Sequence, residues 1–172
     1  MVRASLVPAL VGLLLLSLPA AAGAARVSAA PKAQATAGLL RPLTLQRWAD
    51  LDFATLAVTT GGSATVNPVS GLMSVTGGLL YVAGAPSPAR YAGAASKQTV
   101  VIIRVPKTDV LITRVGGTQT LVVNNFTLDG QDKKALAQAE SFTFAVGATI
   151  TVPAGTVEGL YTGEFDVTVQ YP

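Results

Sequence analysis

From Leu39 onward, apolar and polar residues alternate in short runs separated by glycine and proline. Leu43 and Leu45 alternate with Thr44 and Gln46, and Leu51 and Phe53 alternate with Asp50 and Asp52. Side chains two positions apart share one face of a strand, so each run reads as a half-buried β-strand. Trp48, the only tryptophan, is out of step with Leu45, so it either packs at a bend or lies partly exposed, and it reads as a core anchor rather than a ligand platform. Further on, Gly61-Gly62, Asn67-Pro68, Gly71 and Gly77-Gly78 punctuate runs that hold Val66, Met73, Val75, Leu79, Leu80 and Val82. Glycine admits positive φ and proline lacks a ladder donor, so these breaks predict turns between short antiparallel strands. A phosphate-cradling loop is not indicated, because the glycines lack the Lys-Ser/Thr ending and the dinucleotide-binding spacing before a helix.

The same reading continues downstream. A strand around Tyr91 precedes the continuous apolar run Val100–Ile103, and Val110, Ile112 and Val115 follow after a turn at Lys107, Thr108 and Asp109. Leu121, Val123, Phe126 and Leu128 form another strand-like region, with Asn124-Asn125 as a bulge or local turn. The segment "DGQDKKALAQAE" is the one place where a helical turn is expected. Phe142, Phe144 and Val146 are in phase, Gly147 marks a break, and Ile150 and Val152 resume the pattern before a turn at Pro153–Gly155. The sum is eight to ten short strands in a single all-β domain over residues 39–172. A β-sandwich is the expected architecture, with a small closed β-barrel as the alternative. The long strands and aromatic girdles of an outer-membrane barrel are not indicated.

The first residues change the picture of where this domain resides. A basic start, an apolar core around Leu13–Leu18 and the small residues Ala22-Gly23-Ala24 read as a secretory signal over residues 1–24. The chain is thus expected to cross the inner membrane, reach the periplasm and then the cell surface or exterior, with no transmembrane segment after the signal. Residues 25–38, "ARVSAAPKAQATAG", are too rich in small residues to pack a core and read as a flexible extension. A weak period of two nevertheless places Val27, Ala29, Ala33, Ala35, Ala37 and Leu39 on one parity, interrupted at Pro31.

Composition narrows the chemistry. The chain has no cysteine and no histidine. It therefore lacks the residues for a Ser-His-Asp triad, a cysteine nucleophile, and histidine or thiolate metal ligation. Asp50 and Asp52 are a carboxylate pair in "ADLDF", read as surface or structural groups. No enzyme activity, cofactor or metal is expected. The net charge of +3 is spread along the chain, so no nucleic-acid partner is indicated.

The chain closes on "GLYTGEFDVTVQYP". Tyr161, Gly163, Phe165, Val167, Val169 and Tyr171 fall on one parity, while Thr162, Glu164, Asp166, Thr168 and Gln170 fall on the other. One face is expected in the core and the other in solvent. A side of this strand without an internal partner is an edge open to strand addition. The "LTLQRWADLDFATLAV" opening, the glycine-broken middle and the "ITVPAGTVEGLYTGEFDVTVQY" ending resemble an uncharacterised bacterial secreted family, domain of unknown function 4402. In pattern they also resemble spore-coat protein U and chaperone-usher pilin-like subunits, over about Leu39–Tyr171. Such subunits typically close with a glycine fourteen residues from the end and a penultimate tyrosine, which Gly159 and Tyr171 match.

The resemblance implies an immunoglobulin-like sandwich lacking one strand, and a structural subunit of a pilus-like, adhesive surface fibre. Its implied partners are a periplasmic chaperone, an outer-membrane usher and neighbouring copies or related subunits. The implied chaperone and subunit interface is Gly159, Tyr161, Gly163, Phe165, Val167, Val169 and Tyr171. The candidate donor strand is Val27, Ala29, Ala33, Ala35, Ala37 and Leu39, with Leu39, Leu43 and Leu45 as a stronger insertion segment. The chain departs from many pilins in having no disulfide and in its final Pro172. The alternative is a self-contained secreted or surface β-domain that binds protein or carbohydrate through Trp48, Tyr81, Tyr91 and Tyr161.

Overall fold

Alternating β-branched and aromatic residues build eleven strands among the described residues, which in the computed structural model are 31–138 and 140–172. In chain order they are β1 (Thr44–Ala49), β2 (Thr55–Val66), β3 (Met73–Ala83), β4 (Ala89–Ala94), β5 (Thr99–Arg104) and β6 (Val110–Arg114). Then follow β7 (Thr120–Leu128), β8 (Lys133–Leu136), β9 (Ser141–Val152), β10 (Tyr161–Thr162) and β11 (Thr168–Gln170). Eight strands make a curled, partly barrel-like sheet in the order β1-β4-β9-β7-β6-β10, with β2 joining β9 and β3 joining β2. The other three make a small open sheet, β11-β5-β8. The compact unit is Leu39–Pro172, and residues 31–38 are exposed and carry neither helix nor strand. The expectation of an all-β fold holds, with one strand more than the upper expected count.

β9 organises the larger sheet. Along one edge, Ser141–Val146 pairs with β4 and Thr149–Val152 pairs with β2, while β7 occupies the other edge from Val146 to Thr151. β4 and β2 therefore meet end to end along β9, and Gly147 lies at the junction. A Cβ there would run into the Val66 carbonyl oxygen and come within 2.7 Å of Pro68 Cδ. Opposite the junction the register of β7 shifts between Asn124 and Thr127, and Asn125 takes a φ of 49°. The expected bulge at Asn124-Asn125 is thus present, and a bulge bends and twists its strand locally.

The same face of β9 lines two apolar clusters. Phe142, Phe144 and Val146 pack with Tyr91, Val101, Ile103 and Leu136. Ala148, Ile150 and Val152 pack with Ala64, Leu79, Leu121 and Val123. Leu51 and Phe126 touch both clusters. Tyr91 stacks on Phe144 with ring centroids 5.1 Å apart, an arrangement that adds to simple burial. The unbroken run Val100–Ile103 is explained by β5 being central in the small sheet: Val101 and Ile103 are buried, and Val100 and Ile102 are half-buried on the other face.

Three local expectations are corrected. Gly61-Gly62 and Gly77-Gly78 are not turns but lie inside a long hairpin, where Gly62 pairs with Gly77 at a register shift. Gly77 has a φ of 71°, and a Cβ on it would approach the Gly61 carbonyl oxygen to 2.6 Å, so the glycines allow close, bulged strand contact. The turn of this hairpin is Asn67–Leu72, where Asn67 Oδ1 accepts from the amides of Val69 and Ser70. The expected helical turn within "DGQDKKALAQAE" is instead β8, held by pairing with β5 and by burial of Leu136. Tertiary pairing overrides a weak local preference there. Trp48 is not a core anchor but takes the exposed alternative: it sits at a register shift in β1 and is 71% exposed.

Gly147→Ala is expected to destabilise the domain by about 2–4 kcal/mol, since the obstructing atoms are backbone and proline ring. Gly130→Ala, where a Cβ would meet nothing within 4 Å, should stay within about 0.5 kcal/mol. Chemical denaturation of the two variants checks this. Burial raises the pKa of Tyr91 above its ordinary 10.0, against the opposing pull of Arg47 and with the help of Asp50. The unfolded chain then loses this proton before the folded one does, so Tyr91 holds its contribution below pH 10 and loses it as pH rises through the folded pKa. From about pH 10 up to the raised folded pKa, stability should fall less steeply in Tyr91→Phe than in the parent.

Candidate functional site

The C-terminal segment is one line of alternating side chains but not one strand. β10 pairs with β6 in the large sheet through Tyr161↔Arg114 and Thr162↔Thr113. β11 pairs with β5 in the small sheet through Thr168↔Arg104, Val169↔Ile103 and Gln170↔Ile102. Gly163–Val167 carries the chain from one sheet to the other, alongside the Val105–Asp109 link between β5 and β6. Gly163 lies so close to β6 that a Cβ would be 2.7 Å from Ile112 Cγ2 and 3.0 Å from Ile112 Cα.

Each residue expected at the interface has a defined place. Gly159 has a φ of 147°, and Arg114 folds across it to donate from Nε to the Glu158 carbonyl at 2.7 Å. A Cβ on Gly159 would sit 2.7 Å from that Nε, so this turn itself requires glycine. Tyr161 packs against the second cluster and donates its hydroxyl to the Val157 carbonyl at 2.6 Å. Phe165 meets Phe126 with centroids 4.9 Å apart, and Val167, Val169 and Tyr171 pack against the first cluster. The apolar parity therefore serves this domain's own core. What the segment offers outward is backbone: β10 and β11 are each the last strand of their sheet, with a single partner among the described residues.

Tyr171 also ties the two ends of the domain together. Its hydroxyl donates to the Arg41 carbonyl at 2.9 Å and accepts from the Ser96 amide at 2.9 Å. The Arg41 amide donates to Ser96 Oγ at 2.6 Å, and its guanidinium pairs with Glu140 at 2.8 Å. This cluster carried no recognisable spacing in the sequence, because Arg41, Ser96, Glu140 and Tyr171 come together only through the fold.

The donor candidates divide. Val27 and Ala29 lie outside the described residues. Ala33, Ala35, Ala37 and Leu39 are exposed and form no strand, with Leu39 at 95% exposure. Leu43 and Leu45, expected as a stronger insertion segment, are instead packed against their own first cluster, and Leu45 pairs with Gly93 of β4. They are committed within the domain.

Other candidate groups are structural. Asp52 Oδ1 accepts from the Ala54 amide at 2.7 Å, and the Asp52 backbone bridges to Ser87, while Asp50 pairs with Arg47. Of the four candidate aromatic contacts, Trp48 and Tyr81 are exposed, Tyr161 is half-buried and Tyr91 is buried. A shallow cavity of about 310 Å³ lies over the Pro153–Val157 turn, walled by Gln119, Thr120 and Tyr161. A second, of about 300 Å³, lies between the two sheet-crossing links and is lined by Arg104, Val105, Glu164 and Phe165 among others. Among the described residues no group of three or more His, Cys, Asp or Glu is placed to hold a metal, and no helix is long and apolar enough to cross a membrane.

The folded unit is an all-β domain whose two sheets each have an outer strand from the C-terminal segment, β10 in the large one and β11 in the small one. The model of a family described as a domain of unknown function, DUF4402, matches residues 43–171, and the chain belongs to that family. The match begins at the first half-buried leucine and ends at the clamping tyrosine. No curated protein and no solved structure matches the chain.

Tyr171→Phe is expected to cost about 1–2 kcal/mol, the loss of two hydrogen bonds with the ring retained. Denaturant titration measures that cost. Amide exchange at Ser96 should accelerate in the same variant.

Proposed function

We propose that the protein is a secreted structural subunit of a pilus-like surface fibre, built by strand addition along its C-terminal segment. The observation that carries this reading is the pairing of an inward-facing apolar parity with an unshared backbone edge in both β10 and β11. Side chains fix the segment to its own core, and the open main-chain groups are left to bond an added strand. In this reading the sandwich is immunoglobulin-like and one strand short. A periplasmic chaperone first covers the edge, an outer-membrane usher passes the subunit on, and the extension of a neighbouring copy takes the chaperone's place. The available donor is the stretch before Leu39, since Leu43 and Leu45 are used internally. Head-to-tail addition of this kind makes an open fibre, because donor and acceptor are different surfaces.

A second reading, a self-contained secreted domain that binds protein or carbohydrate, is favoured by Trp48. Its side chain stands in solvent beside the Arg47–Asp50 ion pair, as a stacking platform would.

The two readings separate on the mass distribution of the exported protein, with and without residues 25–38. The fibre reading expects a ladder of oligomers that disappears on deletion while the circular dichroism of the β-domain is unchanged. A parent protein that stays monomeric without any capping chaperone would exclude it and leave the binding domain.

A further inference from the structure

The chain holds one Asp-Gly step, Asp129-Gly130, and no Asn-Gly step. It lies in the link between β7 and β8, where both residues are exposed and belong to no strand. The Asp129 amide donates to the Ala145 carbonyl at 3.1 Å, and the Asp132 carbonyl accepts from the Ile103 amide at 2.7 Å. Between these two anchors the Gly130 amide donates to no backbone carbonyl among the described residues. A Cβ on Gly130 would meet nothing within 4 Å, so the space around this peptide is open. An aspartate side chain reaches backbone amides close to it in sequence, and glycine leaves the chain free to turn toward it.

We propose that Asp129-Gly130 is a site of spontaneous backbone isomerisation, in which Asp129 becomes isoaspartate. The Gly130 nitrogen attacks Asp129 Cγ. A C–N bond forms, the carboxyl C–O bond breaks, and the hydroxyl leaves as water with the amide proton. A second water then opens the resulting imide ring. Opening at Cγ restores aspartate, whereas opening at the main-chain carbonyl carbon reroutes the backbone through Cβ and Cγ and frees an α-carboxyl group. One water leaves and one enters, so composition is unchanged and no co-reactant is needed. No other Asp or Asn combines these conditions. Asp109 and Asp166 precede valine, whose branched Cβ crowds the attacking nitrogen. Asp50 and Asp132 precede the larger Leu51 and Lys133, and Asp52 already uses its carboxylate on the Ala54 amide. Asn67 precedes proline, which has no amide proton, and Asn124 and Asn125 lie within β7. Isomerisation inserts one backbone atom between the anchors at Ala145 and Ile103, just ahead of β8. The link lengthens, and the Asp132–Ile103 bond at the start of β8 loosens while the cores stay packed. This ageing takes place within a single copy and stands apart from both readings of function.

Trypsin releases residues 115–133 as one peptide carrying Asp129. The exported, folded chain is kept for weeks in mildly acidic buffer made with heavy-oxygen water. The peptide is then expected to yield a second chromatographic form, with isoaspartate at position 129 and one heavy oxygen atom from the water that opened the ring. Gly130→Ala, which has room for its methyl group, should lose most of that form, and peptides carrying Asp109 or Asp166 should show none. Amide exchange at Ile103 should be faster in the aged parent than in aged Gly130→Ala, with the circular dichroism of the two alike. A peptide that stays single in the folded chain, or one that changes only in chain unfolded by urea, would overturn the proposal, since the native link then holds the two groups apart. So would equal ageing of Gly130→Ala, or equal label at Asp109 and Asp166. Unchanged exchange at Ile103 would overturn the assigned effect on β8.

Discussion

The close approach at Gly147 is the constraint on which the rest of the architecture depends. One strand, β9, must serve β4 along its first half and β2 along its second, and those two strands must meet end to end against it. Only a residue without a side chain leaves room for the Val66 carbonyl and Pro68 at the meeting point. The bulge in β7 on the opposite edge lies at the same level, so β9 is irregularly paired on both sides at once. The strand's inward face then supplies two clusters, with Leu51 and Phe126 joining them. Without histidine or cysteine, and with no buried charged side chain among the described residues, stability comes from apolar burial and strand pairing.

A related geometry governs the C-terminal segment. Gly163 presses against β6, and the chain leaves the large sheet there to reach the small one. Phe165 fills the crossing by packing on Phe126, the side chain that also joins the two clusters. The end of the chain is thereby coupled to the middle of the fold, and Tyr171 couples it to the start at Arg41. Gly159 and Tyr171, whose spacing from the end matches pilin-like subunits, each have a local role, since one admits the Arg114 side chain and the other clamps two backbone groups. Those roles account for both residues within a single copy. The fibre reading therefore rests on the open backbone edge rather than on these two positions.

Much of this was legible because strand alternation is a local signal. The parity of Phe142–Val146, of Ile150 and Val152, and of Tyr161–Tyr171 emerges in the fold as the inward face, apart from exposed Gly163. Irregularity at Asn124-Asn125 was also legible, since asparagine tolerates positive φ. What could not be read was long-range. Gly62 and Gly77 look like turn residues until one is placed opposite the other. Lys133–Leu136 reads as a helical turn until β5 offers its edge, and Trp48 reads as core until the register of β1 slips beside it. At the candidate site, side-chain direction was local and legible, but division of the last segment between two sheets depended on the contact of Gly163 with Ile112.

Charge is distributed unevenly among the open edges, and this separates their roles. β1 carries Arg47, β8 carries Lys133 and Lys134, and the C-terminal segment carries Glu158, Glu164 and Asp166 with no basic residue. Charges on an outer strand oppose indiscriminate pairing, above all pairing with an identical edge. β10 and β11 themselves carry no charge, but Glu158 precedes β10 and Glu164 and Asp166 lie in the link between the two, so both short edges have acidic surroundings. Residues 25–38 contain Arg26 and Lys32 and no acidic residue, so their sign suits those surroundings.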